Sequence, residues 1–256
     1  MDTESLFDGD WARAVQGAKD SWVSAVFEDI DGTGCSYLQC ISTWFHKLPG
    51  SKKQKKKLEA ALKSTKNSDH LGAVNELSWW RYWKSRGFDL QPIASSKTKT
   101  PDFVLILNTA KVFFEVTTLN PSKNPECSEI KHSQRSSLNR IVAKAMEEKR
   151  GQFIYGQEKQ CPSVLVLFNY DEWSGLGTEF HRLMESTALF PGAISELSAI
   201  VYVVRSVSKG KSRFEKSSMK IVDNPAAQFP LAQEIKDLIA NADDNDNWIY
   251  CENDSD

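Results

Sequence analysis

The stretch Thr100-Pro101-Asp102-Phe103-Val104-Leu105-Ile106-Leu107-Asn108-Thr109-Ala110-Lys111-Val112-Phe113-Phe114-Glu115-Val116-Thr117-Thr118 decides how this chain is read. Two runs rich in β-branched and aromatic residues, 103–107 and 112–118, flank a short polar break, which is the pattern of a β-hairpin. Asn108-Thr109 as a two-residue loop pairs Leu107 with Ala110. Counting outward pair by pair sets Asp102 directly opposite Glu115, with Cβ atoms about 5 Å apart. A four-residue loop keeps this register. A three- or five-residue loop, or one bulge, sends the two acids to opposite faces. Facing like charges repel, and the neighbours on that face, Val104, Ile106 and Phe113, are apolar. Either a cation joins the pair or one acid takes up a proton. Oxygen ligands favour Mg²⁺ or Mn²⁺ over Zn²⁺. The plainer alternative places both acids at strand ends in water.

Upstream, Asn67-Ser68-Asp69 signals a helix start. The helix is expected over 70–86, stopping at Gly87. Leu71, Val74, Leu77, Trp79, Trp80 and Trp83 make it apolar almost all round, so it is buried on several sides, and its tryptophans read as core. It carries one acid, Glu76, and a buried Glu calls for a partner. Residues 88–93 read as a short strand, with Pro92 marking an edge. Downstream, a helix is expected over 136–153. Its apolar face (Leu138, Ile141, Val142, Ala145, Phe153) has Lys149 and Gln152 in its middle. These need a buried partner, unless Lys149 snorkels to solvent. Strands are expected at 161–168 and 200–204, helices at 178–185 and 231–240, and a basic hairpin-like segment at 207–220.

The whole chain of 256 residues carries a net charge of −2 and 40% hydrophobic residues, an ordinary globular balance. It has no apolar run near the roughly 18–20 residues of a membrane span, and Met1-Asp2-Thr3-Glu4 lacks a signal-peptide layout. Five scattered Cys are no disulfide framework. Together these features lead to the expectation of a soluble cytoplasmic protein. A helical N-terminal extension is expected over 1–66, a main domain over 67–242, and an acidic disordered tail over 243–256. Two basic groups stand out: Lys52, Lys53, Lys55, Lys56 and Lys57, and then Arg205, Lys209, Lys211, Arg213, Lys216 and Lys220. They read either as solvated faces or as a grip on a nucleic-acid backbone. Cys35, Cys40, His46 and His70 match no usual zinc spacing. Gly210-Lys211-Ser212 lacks the earlier glycine of a P-loop, because Arg205 stands there.

In order, Asn75-Glu76-Leu77, Arg86-Gly87-Phe88, Thr100-Pro101-Asp102-Phe103, Phe114-Glu115-Val116-Thr117 and Lys149-Arg150-Gly151-Gln152-Phe153 resemble the PD-(D/E)XK nuclease superfamily over roughly residues 67–170. The resemblance implies an α/β restriction-endonuclease-like core, a mixed β-sheet flanked by helices in the order αβββαβ. It implies metal-dependent phosphodiester hydrolysis, on DNA before RNA, with Mg²⁺ (or Mn²⁺) held by Asp102, Glu115 and Glu76. A partner protein or a homodimer is compatible with it. Thr117 departs from the family, which usually has Lys there. Two outcomes follow. The Lys role passes to Lys149, with Thr117 hydrogen-bonding and Gln152 orienting. Or catalysis is lost, and a nuclease-fold module binds nucleic acid or a partner protein.

Overall fold

The computed structural model describes residues 6–16, 18, 33–94, 99–108, 110–119, 142–170, 194–207 and 214–240. The chain begins with helices α1 (Gly9–Gln16), α2 (Thr33–Lys47) and α3 (Lys52–Leu62). The basic run is therefore a helix. Ser51 caps it by accepting from the Gln54 backbone N–H at 3.3 Å, and the Gln54 side chain returns to the Ser51 N–H at 3.0 Å. This reciprocal box satisfies two donors that a helix start leaves without partners. Leu58 and Leu62 bury the other side of α3.

Helix α4 (Asn67–Ser85) starts at Asn67, slightly earlier than expected, and has no side-chain cap. Gly87, at φ +79°, turns the chain away in the left-handed region that glycine tolerates. Trp79, Trp80 and Trp83 are buried as expected. Trp79 stacks on Tyr82 with centroids 5.3 Å apart and meets the Phe114 ring edge-on at 5.4 Å. Arrangements of this kind add about 0.5–1.5 kcal/mol per pair beyond burial.

The sheet has six strands in sequential order: β1 (Leu90–Pro92), β2 (Phe103–Leu107), β3 (Ala110–Thr118), β4 (Ser163–Tyr170), β5 (Ala199–Val207) and β6 (Phe214–Asp223). Pairs β1–β2, β2–β3 and β5–β6 are antiparallel, whereas β3–β4 and β4–β5 are parallel. The fold is thus mixed α/β. β1 lies at the sheet edge, where Pro92 costs no ladder bond. The parallel strands are apolar on both faces, as burial on both sides requires. Phe114, Val116, Val164, Val166, Val201 and Val203 join a core shared with α2, α3, α4 and the last helix, α6 (Gln233–Ala240). Leu165, Leu167, Ile200 and Tyr202 face a second cluster with Val142, Met146 and Phe153. The described N-terminal helices and the sheet therefore share one core: Ile41, Trp44 and Leu62 belong to the same cluster as Trp79 and Phe114.

The sequence expectation needs two corrections here. The helix expected as one piece over 136–153 is interrupted. Residues 142–148 are helical, Lys149 forms a turn at φ −96° and ψ 2°, and α5 (Arg150–Glu158) continues beyond the expected end. The Lys99 ammonium takes the Glu148 carbonyl at 3.3 Å, and the Gln152 N–H bonds the Lys149 carbonyl at 2.9 Å, tightening the turn. Gly151 lets the Lys99 stem pass, since a Cβ there would come within 2.7 Å of Lys99 Cδ. The second correction concerns Arg205, which belongs to no basic surface. It is buried, donates to Asn75 Oδ1 at 2.6 Å and lies 4.7 Å over the Phe168 ring. The expected helix at 178–185, the tail from 243, most of the basic hairpin tip and residues 19–32 lie outside the described residues. Among the described residues no helix is long and apolar enough to cross a membrane.

Candidate functional site

The hairpin has the register derived from its loop. Leu107 pairs with Ala110, and the ladder runs back to Phe103 opposite Phe114. Asn108, at φ +52°, adopts the positive φ that a tight hairpin loop demands. One step beyond the last pair, Asp102 comes opposite Glu115. Asp102 Oδ2 accepts from the Val116 N–H at 2.8 Å, which fixes its carboxylate beside the end of the ladder. Glu115 is buried, 3% exposed. Its partner on β4 is Leu165, so it stands on the second-core face among apolar neighbours.

Lys149 arrives from the turn that interrupts the helix. Its Nζ lies 2.5 Å from Glu115 Oε1. Burial alone would lower the Lys149 pKa, but Glu115, Asp102 and Glu76 outweigh it and hold the ammonium above its ordinary value. The three carboxyls are raised as well. Burial, then the neighbouring Asp102, pushes Glu115 up to about 8. Burial raises Asp102, against the Val116 N–H that favours its charged form. Glu76 is raised well above the carboxylate range, by burial first and by Asp102 second. Glu76 is half-buried at the cleft wall, not enclosed within its helix as its apolar surroundings in sequence imply.

Glu76, Asp102, Glu115, Lys149 and Gln152 all line one cleft of about 290 Å³. Thr117 lies outside that lining. It follows Glu115 by two on the same strand face, and its Oγ1 is buried without a hydrogen-bond partner. Gln152 Oε1 and Glu115 Oε2 are likewise buried without partners. The basic run divides. Lys55 and the exposed Lys57 line the cleft, while Lys52, Lys53 and Lys56 are exposed outside its lining. Lys209, Lys211 and Arg213 lie outside the described residues.

Sequence reasoning missed the opposite wall. It is built by the end of α2 and by α3, and Gln54 Nε2 ties α3 to the Ile93 carbonyl at 2.8 Å, just past β1. The readable signal was the Ser51-Lys52-Lys53-Gln54 capping-box spacing, which marks a helix start. His70 has a structural place instead of a metal-binding one. It is buried between the Tyr37 hydroxyl at 2.9 Å and the Leu62 carbonyl at 2.7 Å.

Among the described residues, no group of three or more His, Cys, Asp and Glu side chains is gathered tightly enough to hold a metal ion. The facing pair is the tighter unit, with Glu76 beside it in the same cleft. The donor set is all oxygen, as hard divalent ions prefer. The buried Glu115 Oε2 that lacks a partner is an acceptor such an ion could satisfy. No protein-family model, no curated protein and no solved structure matches the chain.

Proposed function

We propose that this protein is a divalent-metal-dependent nuclease, built on a restriction-endonuclease-like arrangement of its α/β core and acting on DNA in preference to RNA. The observation that carries this reading is the Asp102–Glu115 pair, facing across the hairpin with a Lys ammonium 2.5 Å from one of them. Asp102 and Glu115 would hold Mg²⁺ or Mn²⁺, with Glu76 next to them. A bound ion of this kind polarises a phosphoryl oxygen and lowers the pKa of an attacking water. Neutralising the acids also removes their repulsion of a phosphodiester. Lys149 keeps a positive charge at the point where negative charge develops on the phosphate, the task of the Lys that Thr117 replaces. Gln152 offers a buried amide to orient the substrate or a water.

The test is cleavage of DNA and RNA in Mg²⁺, Mn²⁺ or EDTA by the wild type, Asp102→Asn and Glu115→Gln. The expected result is cutting that needs the metal and disappears in both variants. Cutting that persists in the variants rejects the site. Cutting absent in every condition rejects the enzyme and leaves a binding module.

A further inference from the structure

The cleft has a far wall, and that wall decides what can enter. On one side stand Glu76, Asp102, Glu115 and Lys149. On the other, α3 presents Lys57, and the Gln54–Ile93 hydrogen bond pins this helix across the edge of the sheet. The α2–α3 turn is packed down as well: a Cβ on Gly50 would lie 3.9 Å from Pro92 Cγ. The acids therefore sit in a recess instead of on an open platform. At about 290 Å³ its volume falls at the lower end of small-molecule sites, roughly 300–1,000 Å³. That is room between the walls for about one nucleotide rather than for a base pair with both its backbones.

Lys57 forms no hydrogen bond or ion pair among the described residues, yet its charge acts on both Glu76 and Asp102. An ammonium held across a recess from a carboxylate pair suits a phosphodiester passing between them. Such a contact would read backbone charge and not base sequence.

Resting on the nuclease reading for its chemistry, we propose that the cleft takes single-stranded nucleic acid, a free strand or a frayed end, with Lys57 of α3 gripping the phosphate opposite Asp102 and Glu115. An intact duplex would first have to unpair, which costs a few kcal/mol. Helix α3 is then part of the binding site.

The test is binding, measured apart from cleavage. Fluorescence anisotropy in EDTA compares a labelled single-stranded oligothymidine with a blunt hairpin duplex, for the wild type, Lys57→Gln and Lys53→Gln. The single strand should bind several-fold more tightly than the duplex. Lys57→Gln should weaken it several-fold and reduce the salt slope by about 0.7, the single-strand value for one phosphate contact. Lys53→Gln, one turn away and outside the cleft lining, should do less. Equal or tighter duplex binding overturns the proposal, and so does a Lys57 variant no weaker than the Lys53 variant. Absence of cleavage in metal would reject the nuclease reading while leaving this binding result intact, so the two failures are separable.

Discussion

Lys149 Nζ lies 2.5 Å from Glu115 Oε1, although 34 residues separate them and one stands on a strand while the other stands at a helix break. Lys149 is only partly exposed and Glu115 is buried. Removing Lys149 leaves the buried Glu115 carboxyl without its partner in the cleft. In the nuclease superfamily that the sequence resembles, the usual Lys stands on the strand itself, two residues after the acid. Here Thr117 takes that strand position, and the ammonium comes from the turn before α5.

Lys149→Met should therefore lower kcat by about 10²–10³-fold, the range for losing one preorganised charge at a reacting centre. Far-ultraviolet circular dichroism should be unchanged, because the side chain reaches the cleft from a turn. Steady-state cleavage rates check this. A variant within threefold of wild type would remove Lys149 from the mechanism.

Gly151→Ala tests how the turn holds Lys149. The added methyl would press on the Lys99 stem, which reaches the Glu148 carbonyl. A lower kcat with little change in Tm is expected, and Lys99→Ala together with Gly151→Ala should do no more damage than either alone. Additive losses in that double-mutant cycle would show the two residues to be uncoupled.

Gly156→Ala should cost stability instead. A Cβ there would overlap Ser163 Oγ and crowd the Cys161 carbonyl and the Phe113 ring at 3.3 Å each. Overpacking of this kind costs about 1–3 kcal/mol, and thermal unfolding should record a Tm several degrees lower. A Tm equal to wild type would mean that α5 can lift off β4 without penalty.

His70 gives the fold a defined acid limit. Burial holds its pKa down to about 4 from 6.5, with the Leu62 carbonyl opposing the shift. The unfolded chain takes up the proton below pH 6.5, whereas the folded chain refuses it until about pH 4. Stability from this group is thus complete above pH 6.5 and is lost as pH falls toward 4. The loss amounts to about 3 kcal/mol at most, at 1.36 kcal/mol per pKa unit. Chemical denaturation at pH 7 and pH 4.5 should show a smaller difference for His70→Gln than for wild type. An equal difference would place the acid sensitivity elsewhere.

The hairpin was legible in sequence because everything that sets it is local. Asn108 can take a positive φ, the strands are β-branched and aromatic, and the loop length fixes the register. The tryptophan helix was legible through its apolar surface. Lys149 was found by counting around a straight helix, but the chain breaks at that residue, so the helical count alone does not explain its place in the cleft. The wall made by α3 was not legible, because it depends on Gln54 reaching Ile93, 39 residues away. Arg205 misled for the opposite reason. In sequence it belongs to a run of cations, and only the fold reveals that Asn75 receives it in the core.

The proposed nuclease requires Asp102 and Glu115 to form one divalent-metal centre. Isothermal titration calorimetry of Mn²⁺ into the metal-stripped protein measures this. About one ion per chain is expected, with binding lost in both Asp102→Asn and Glu115→Gln and kept in Lys53→Gln. Binding that survives in either acid variant, or no binding by the wild type, would contradict it.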